Sequence, residues 1–120
     1  MTDKNFVLEY TNGIVGAIFD CPFENDFDTT VLRHEKSRKW FGIIMSVKKC
    51  KVKMQGEGEV DVLNLKSNPE DSLVLFELYD KIIPAYHMNK THWISVILDG
   101  SLPPALVCSL IDKSFDMTKK

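Results

Sequence analysis

Residues 86–93 gather the side-chain types that most often perform chemistry. The candidate ligand-site residues in this segment are His87, Asn89, Lys90, His92 and Trp93. The two histidines are five positions apart across a turn, so they lack the i, i+4 spacing of a helical metal-binding pair. A catalytic histidine needs a nucleophile within about 3 Å, and spacing alone does not supply one. The segment therefore suggests binding or a structural turn more readily than catalysis.

Three roles stay open for this segment. In the structural role, Asn89 supplies hydrogen bonds to a turn, His87 packs beside a sheet and Trp93 fills the core. In the second role, Lys90 and His92 contact an anion or nucleic acid. In the third, the segment lines a concave site for a small molecule or protein partner. The sequence contains no glycine-rich phosphate loop, Cys/His metal pattern or nucleophile elbow, so we expect a protein that is not an enzyme and uses no metal or cofactor.

Positive charge is concentrated in one part of the chain. Residues 33–53 carry eight basic side chains and one acidic one, whereas the rest carries seven basic and sixteen acidic ones. Such asymmetry suits a protein that contacts phosphates or steers an acidic partner. The alternative is that lysines keep a sheet edge soluble and unpaired. The candidate nucleic-acid contacts are Arg33, Arg38, Lys39, Lys48, Lys49, Lys51, Lys53 and Lys90, and Trp40 or Phe41 would stack on bases if either faces outward.

The bulk properties indicate one soluble domain. The chain has 120 residues, of which 44% are hydrophobic and 27% charged, which is typical of a globular protein with a single core. No run approaches the roughly 18 apolar residues of a membrane-spanning helix, and the start does not resemble a signal peptide. We therefore expect a cytoplasmic location. The three widely spaced cysteines predict reduced, mostly buried thiols rather than a disulfide framework.

Hydrophobic periodicity and turn signals predict three helices and four strands. Helices are predicted from Asp3 to about Val15, from Pro69 after an Asn68 cap to about Lys81, and from Pro103-Pro104 onward. Strands are predicted at Thr29–His34, Lys39–Val47, Val60–Leu65 and Trp93–Leu98, and an acidic connector at Ala17–Asp28. The short link after His34 makes the first two strands an antiparallel hairpin. This order predicts an α+β sandwich in which helices cover an antiparallel sheet.

Several segments together resemble the MmcQ/YjbR family of small bacterial proteins. The most specific is the H-x-N-K-x-H-W pattern of His87–Trp93, followed by Leu98–Pro103 and Ser114-Phe115. Similar segments upstream are Pro22-Phe23, Val31–His34, Lys39–Phe41, Leu63–Lys66 and Asn68–Glu70. The resemblance covers nearly the whole chain.

The resemblance implies a CyaY-like, or frataxin-like, two-layer fold and DNA binding through a double-wing arrangement of hairpins. Carried onto this sequence, the wing residues are those around Arg33–Lys39, the Lys48–Lys53 stretch and Lys90. The chain departs from a generally basic DNA-binding protein, because its pI is near 5.9. Any contact with DNA would therefore be local. The iron chemistry of frataxins does not carry over, since the first predicted helix contains only Asp3 and Glu9 as acids.

Overall fold

The computed structural model describes residues 2–23 and 29–119. The helices are α1 (Lys4–Asn12), α2 (Pro69–Leu78) and α3 (Pro104–Met117). The strands are β1 (Ala17–Asp20), β2 (Thr30–His34), β3 (Trp40–Lys48), β4 (Glu59–Lys66), β5 (Ile82–Pro84) and β6 (Trp93–Ile97), and a short 3₁₀ helix spans Lys49–Val52. The sheet has the order β1-β2-β3-β4-β6-β5 with every pair antiparallel. The predicted α+β fold class is confirmed.

The helix starts follow ordinary capping chemistry. Asp3 Oδ1 accepts a hydrogen bond from the Phe6 amide at 2.9 Å, and Asn68 Oδ1 accepts one from the Glu70 amide at 3.0 Å. Each cap satisfies an amide that has no partner within its helix. Pro69, as the first residue of α2, gives up no helical hydrogen bond. Both predicted starts are confirmed.

The three helices cover one face of the sheet. Val7 of α1 and Ile111 of α3 are fully buried against the strand residues that point to this side. The cross-strand partners Ile44, Leu63 and Val96 lie on neighbouring strands and are also fully buried. These residues form the main apolar core. The opposite side, called here the open face, has a second apolar cluster made of Val47, Val52, Val60, Val62 and Ile97.

Two strands were not predicted from the sequence. Ala17–Asp20 was assigned to a connector, but it forms edge strand β1 by pairing with β2, with Ala17 opposite His34 and Asp20 opposite Val31. Such a short run has too little alternation to reveal a strand before its neighbour is known. The acids Glu24, Asp26 and Asp28 of the same predicted connector lie outside the described residues. The other missed strand, β5, occupies the opposite edge of the sheet, directly after α2 in the chain.

Helix α2 is shorter and less buried than predicted. It ends at Leu78 rather than near Lys81, because Ile82–Pro84 pairs with β6 as an edge strand. The apolar residues of this segment, among them Leu75, Phe76 and Leu78, also predict a wide face packed over the sheet. That prediction is wrong in part: Leu75 and Phe76 contact the core, but Leu78 is 66% exposed. The first helix also ends early, at Asn12 instead of Val15.

The cysteines are free, but they are not mostly buried. Cys21 and Cys50 are exposed, and Cys108 is half-buried. The expectation of reduced thiols without a disulfide framework agrees with this arrangement, whereas the expected burial is wrong for two of the three. Cys21 lies beyond the end of β1 and Cys50 in the 3₁₀ helix, so neither occupies a core-facing strand position.

Candidate functional site

Asn89 organises the turn at the centre of residues 86–93. Its Oδ1 atom accepts hydrogen bonds from the amides of Thr91 at 2.8 Å and His92 at 3.0 Å. Its backbone carbonyl accepts from the Trp93 amide at 3.0 Å. This is the side-chain-to-backbone bonding that favours asparagine in turns. The amide oxygen of Asn89 therefore has a structural role.

A buried polar network attaches this segment to the open face. Asn64 on β4 and Ser95 on β6 are cross-strand partners, and both are fully buried. Asn64 Nδ2 donates to the Tyr86 carbonyl at 2.9 Å, and the Tyr86 amide donates to Ser95 Oγ at 2.8 Å. The Ser95 hydroxyl in turn donates to Asn64 Oδ1. The loop that crosses these two polar side chains thus supplies their hydrogen-bond partners in the middle of an apolar sheet.

The five candidate ligand residues of this segment do not converge on one pocket. His87 has φ +61° and stacks its ring against Tyr86 at 3.9 Å between centroids, while His92 is exposed. Lys90 Nζ donates to the Ala85 carbonyl at 2.8 Å. His87, Lys90 and Trp93 line three separate pockets. Trp93 is half-buried rather than in the core as the structural interpretation required.

Five lysines, Lys48, Lys49, Lys51, Lys53 and Lys90, surround the 3₁₀ helix and form what is called here the lysine cluster. Lys51, Lys53 and Lys90 line one pocket of about 320 Å³, whose other lining residues include Val52, Ile83 and Tyr86. Lys48 and Lys51 line an adjoining pocket together with His87. The tertiary structure thus brings Lys90 to the lysines of the β3–β4 connection.

The backbone under the lysine cluster is held in place by packing and hydrogen bonds. Val52 is 2% exposed and inserts into the apolar cluster of the open face. The Lys49 amide donates to the Gly58 carbonyl at 3.0 Å, and the Met54 amide donates to the Lys49 carbonyl at 2.9 Å. Lys53 ends the 3₁₀ helix with φ +60°. One buried valine therefore fixes a turn whose remaining side chains are mostly cationic.

The other predicted cations lie at the far end of β3. Arg38 and Lys39 are exposed in the β2–β3 turn, whereas Lys48 ends the same strand. At the rise of an extended strand, the two ends of β3, Trp40 and Lys48, are about 26 Å apart. Arg33 is committed to other contacts: its Nε atom lies 3.0 Å from Asp20 Oδ1, and its guanidinium lies 5.5 Å from the Trp40 ring centroid. The eight predicted cations do not form a single patch.

A pocket at this second end of the sheet contains both tryptophans. It has a volume of about 360 Å³ and is lined by Lys39, Trp40, Lys66, Trp93, Met117 and Thr118. Trp40 is 36% exposed, while Phe41 is fully buried, so the stacking residue left open by the sequence is Trp40. Lys66 and Met117 were not predicted as site residues. The pairing of Lys66 with Trp93 could be found only from the strand register.

The clearest shifts in pKa belong to side chains with structural partners. Burial, followed by a hydrogen bond to Asp112, raises the pKa of Tyr10 to about 12. Burial and then the nearby charges of Lys119 and Lys39 lower the pKa of His34. Burial raises the pKa of Asp99, but the hydrogen bonds from Ser101 and the ammonium of Lys81 have the larger combined effect. The pKa of Asp99 is therefore lowered overall. These groups join secondary-structure elements to one another and do not mark a shared reaction centre.

Within residues 2–23 and 29–119, no group of three or more His, Cys, Asp or Glu side chains is placed to hold a metal ion. The same residues contain no helix with the length and apolar character needed to cross a membrane.

Comparison with known proteins relates the whole chain to one group. The chain is 38% identical to the uncharacterized protein YyaQ of Bacillus subtilis over 119 residues, which are 99% of this chain and 100% of that protein. It is 40% identical to the uncharacterized protein YjbR of Escherichia coli over 53 residues, covering 44% of this chain and 45% of the relative. The activities of both relatives are uncharacterized.

Solved structures show the same fold. A crystal structure of a Pseudomonas syringae protein matches with a TM-score of 0.90 and 36% identity, covering 98% of this chain and 99% of that one. A Deinococcus radiodurans protein matches with a TM-score of 0.76 at 24% identity, over 100% of this chain and 80% of that one, which shows likeness of fold alone. The model of the YjbR family matches residues 15–117. The resemblance of the H-x-N-K-x-H-W segment is thereby confirmed, and the chain belongs to the YjbR family.

Proposed function

We propose that this protein is a non-enzymatic nucleic-acid-binding module that contacts DNA phosphates through the lysine cluster. The observation that carries the proposal is that Lys51, Lys53 and Lys90 line the same pocket. Among the described residues, the ion pairs are Arg33–Asp20 and Lys81–Asp99. The ammonium groups of the lysine cluster are therefore not paired with carboxylates in that part of the chain.

The physical basis of such binding is the release of counterions from the DNA backbone. Each phosphate that a lysine neutralises contributes a log–log salt slope of about −0.9 on duplex DNA. The fixed 3₁₀ turn reduces the entropy lost when its side chains contact phosphates, because its backbone is already ordered. The cluster has no helix placed like a recognition helix, so the contacts would follow the backbone more than the base sequence.

The acidic remainder of the molecule favours a single docking orientation. Outside residues 33–53 the chain has more than twice as many acidic as basic side chains. Repulsion from these carboxylates disfavours approach of DNA by other surfaces. Arg38 and Lys39 are exposed at the β2–β3 turn and supply secondary contacts. Arg33 is left out of this proposal, since Asp20 already pairs with its guanidinium.

The non-enzymatic part of the proposal rests on how the polar side chains are used. Ser95 is the buried hydroxyl closest in sequence to the two histidines, and it donates to Asn64 rather than to an imidazole. His34 bonds to Thr118 Oγ1 at 2.8 Å and stacks on Phe115 at 4.2 Å between centroids. His34 and Thr118 are bonded directly, as a base and a nucleophile would be, but the Thr118 hydroxyl donates to the Ser114 carbonyl at 2.8 Å, so its hydrogen is used at the end of α3. These contacts support a structural role for Ser95, His34 and Thr118.

The test is fluorescence anisotropy with a labelled DNA duplex at low and moderate salt. Lys48→Glu/Lys51→Glu reverses two charges in the lysine cluster, whereas Lys113→Glu/Lys119→Glu reverses two exposed charges on the helical side. We expect the first variant to weaken binding by at least about tenfold, or about 1.4 kcal/mol, and the second to weaken it much less. Equal losses in both variants, or no binding by the wild-type chain at low salt, would contradict the proposal.

A second candidate is a small organic anion bound in the pocket of Lys51, Lys53 and Lys90. Its apolar floor, which includes Val52 and Ile83, favours a ligand with a hydrophobic body and an acidic group. The volume of about 320 Å³ is at the low end for small-molecule sites. Two-dimensional NMR with aryl and alkyl carboxylates is the test. Chemical-shift changes confined to this pocket would favour the candidate, and their absence at high ligand concentration would exclude these ligands.

A further inference from the structure

Both tryptophans of the chain, Trp40 and Trp93, line the same pocket, although they lie on different strands and far apart in sequence. Trp93 is the register partner of Lys66, and β4, which carries Lys66, lies between β3 and β6. The order across this end of the sheet is therefore Trp40, Lys66, Trp93. A cation is placed between two indole side chains.

The irregular pairing of β2 with β3 explains why Trp40 can line this pocket. Leu32 pairs with Gly42 while Arg33 pairs with Trp40, so β3 contains one extra residue at Phe41. A bulge of this kind lets two successive side chains point to the same face, and here these positions are Phe41 and Gly42. Phe41 is buried in the helix-covered core, and a Cβ atom on Gly42 would also meet core side chains. Trp40, which precedes Phe41, is therefore directed to the open face.

The surroundings of Trp40 hold its ring in position. The Phe23 ring meets it edge-on, with centroids 6.4 Å apart and an interplanar angle of 88°. The Arg33 guanidinium lies 5.5 Å from the ring centroid and is itself held by Asp20. An aromatic edge and a cation near the ring both favour one orientation of the indole. The ring is ordered before any ligand arrives.

The lining of the pocket combines aromatic surface with positive charge. Lys39 and Lys66 contribute ammonium groups, Met117 a polarisable thioether and Thr118 a hydroxyl near the end of α3. None of the six lining residues is acidic. Indole faces favour a flat aromatic group, and two ammonium groups favour a phosphate attached to it.

We propose that the pocket of Trp40, Lys66 and Trp93 binds an unpaired nucleobase together with its phosphate. The same chemistry is offered by a free nucleotide and by a nucleotide within a single strand. In the second form the inference builds on the proposed nucleic-acid function by adding a site for unpaired bases. It uses none of the five residues of the lysine cluster, so either proposal can fail without the other.

Tryptophan fluorescence, excited selectively so that the three tyrosines do not contribute, is a direct test, because both tryptophans of the chain line the pocket. The probes are thymidine 5′-monophosphate, thymidine, inorganic phosphate, a short oligothymidylate and a duplex. We expect saturable quenching by the monophosphate or the oligothymidylate, with thymidine and phosphate each at least about tenfold weaker, since each lacks one of the two groups recognised. Tighter binding of the oligothymidylate identifies a single strand as the source, and equal binding identifies the free nucleotide.

Substitutions separate this site from the lysine cluster. Lys66→Gln removes the central cation and is expected to weaken quenching about tenfold, and Trp93→Phe keeps an aromatic ring while removing one emitter. Lys113→Gln, which removes an exposed cation of α3 outside both sites, is the matched control and should leave quenching within about twofold. Absence of saturable quenching by both the monophosphate and the oligothymidylate would overturn the inference, as would quenching that Lys66→Gln leaves unchanged. Loss of duplex binding in Lys48→Gln/Lys51→Gln, with quenching by the monophosphate retained, would support both proposals independently.

Discussion

His34 shows how one side chain can connect three elements of this fold. It is 6% exposed at the end of β2, stacks on Phe115 of α3 and bonds to Thr118 just beyond that helix. Its interior position disfavours the charged imidazolium, as do the charges of Lys119 and Lys39. A hydrogen bond to the Phe115 backbone acts in the opposite direction but does not reverse the lowered pKa. The neutral ring is therefore the form that fits the folded protein.

The first prediction concerns the dependence of stability on pH. Because the pKa of His34 is lower in the folded than in the unfolded chain, the unfolded state binds the proton first as the pH falls. The stability contributed by neutral His34 is therefore present above about pH 6.5, the ordinary value, and is lost progressively below it. Urea unfolding over a pH series should show this loss in the wild type and a smaller one in His34→Gln. His92→Gln, which removes an exposed imidazole, is the control, and an equal reduction there would contradict the assignment.

The second prediction concerns the close packing of β3 at Gly42. A Cβ atom added there would lie 2.9 Å from Leu32 Cδ1 and 3.2 Å from Leu65 Cδ2, which are core side chains. Gly42→Ala should therefore lower the free energy of unfolding by about 1–3 kcal/mol through overpacking. Gly13→Ala is the matched substitution, since Gly13 has φ −82° and its nearest contact is 3.4 Å. Chemical denaturation of both variants is the measurement, and a neutral Gly42→Ala would show that Leu32 and Leu65 can move aside.

At the scale of elements, α2 differs most from its sequence pattern. Leu78, which the pattern placed on the face packed over the sheet, is 66% exposed, and its neighbours Leu73 and Val74 are 67% and 55% exposed. The chain leaves the helix early because Ile82, which is 1% exposed, is drawn into the core as part of β5. Pro84 is tolerated in β5 because this strand lies at an edge of the sheet. Sheet pairing thus decides where the helix stops.

The third prediction compares two apolar residues on either side of that boundary. Ile82→Ala should cost about 2–5 kcal/mol of unfolding free energy, because it leaves a cavity in the main core. Leu78→Ala should change it by less than about 0.5 kcal/mol, since the side chain is exposed. Thermal and urea unfolding can rank the two. A large loss for Leu78→Ala would show that α2 is covered in solution.

At the scale of the whole molecule, β3 separates two cationic regions. The lysine cluster lies at one end of the strand, and the tryptophan pocket with Lys39 lies at the other. The regions differ in chemistry, because the first offers several ammonium groups over an aliphatic floor and the second offers indole rings. Under the two proposals, the first region would bind phosphates of a nucleic acid and the second an unpaired base.

The fourth prediction uses the salt dependence of duplex binding to distinguish cations that contact phosphates from cations that do not. Lys48→Gln/Lys51→Gln should reduce the magnitude of the log–log salt slope for duplex binding by about 0.9 for each phosphate contact removed. Arg33→Gln removes the same kind of charge but should leave the slope nearly unchanged, because Arg33 is paired with Asp20. Anisotropy titrations over a range of salt concentrations give both values. Equal changes would mean that total charge, rather than the arrangement of the lysine cluster, determines binding.

Local signals in the sequence were enough to determine much of this protein. The Asn68 cap, the β2–β3 hairpin, the α+β class and the family followed from residue types at short spacing. Helix capping, turn formation and the alternation of apolar and polar residues depend on positions only a few residues apart. The sequence alone can therefore predict them. The concentration of cations between residues 33 and 53 was equally visible in the sequence.

Only the tertiary structure decided which of those residues meet. Strands β1 and β5 are defined by their partners, and the pocket shared by Lys51, Lys53 and Lys90 requires a loop anchored by Asn64 and Ser95. The shared pocket of Trp40 and Trp93 likewise depends on strand order and on a bulge. Register and crossover geometry join residues that are distant along the chain, and a shift of one position would send a side chain to the opposite face. The sequence by itself therefore determined the elements and the charges, whereas packing of the sheet decided the two candidate sites.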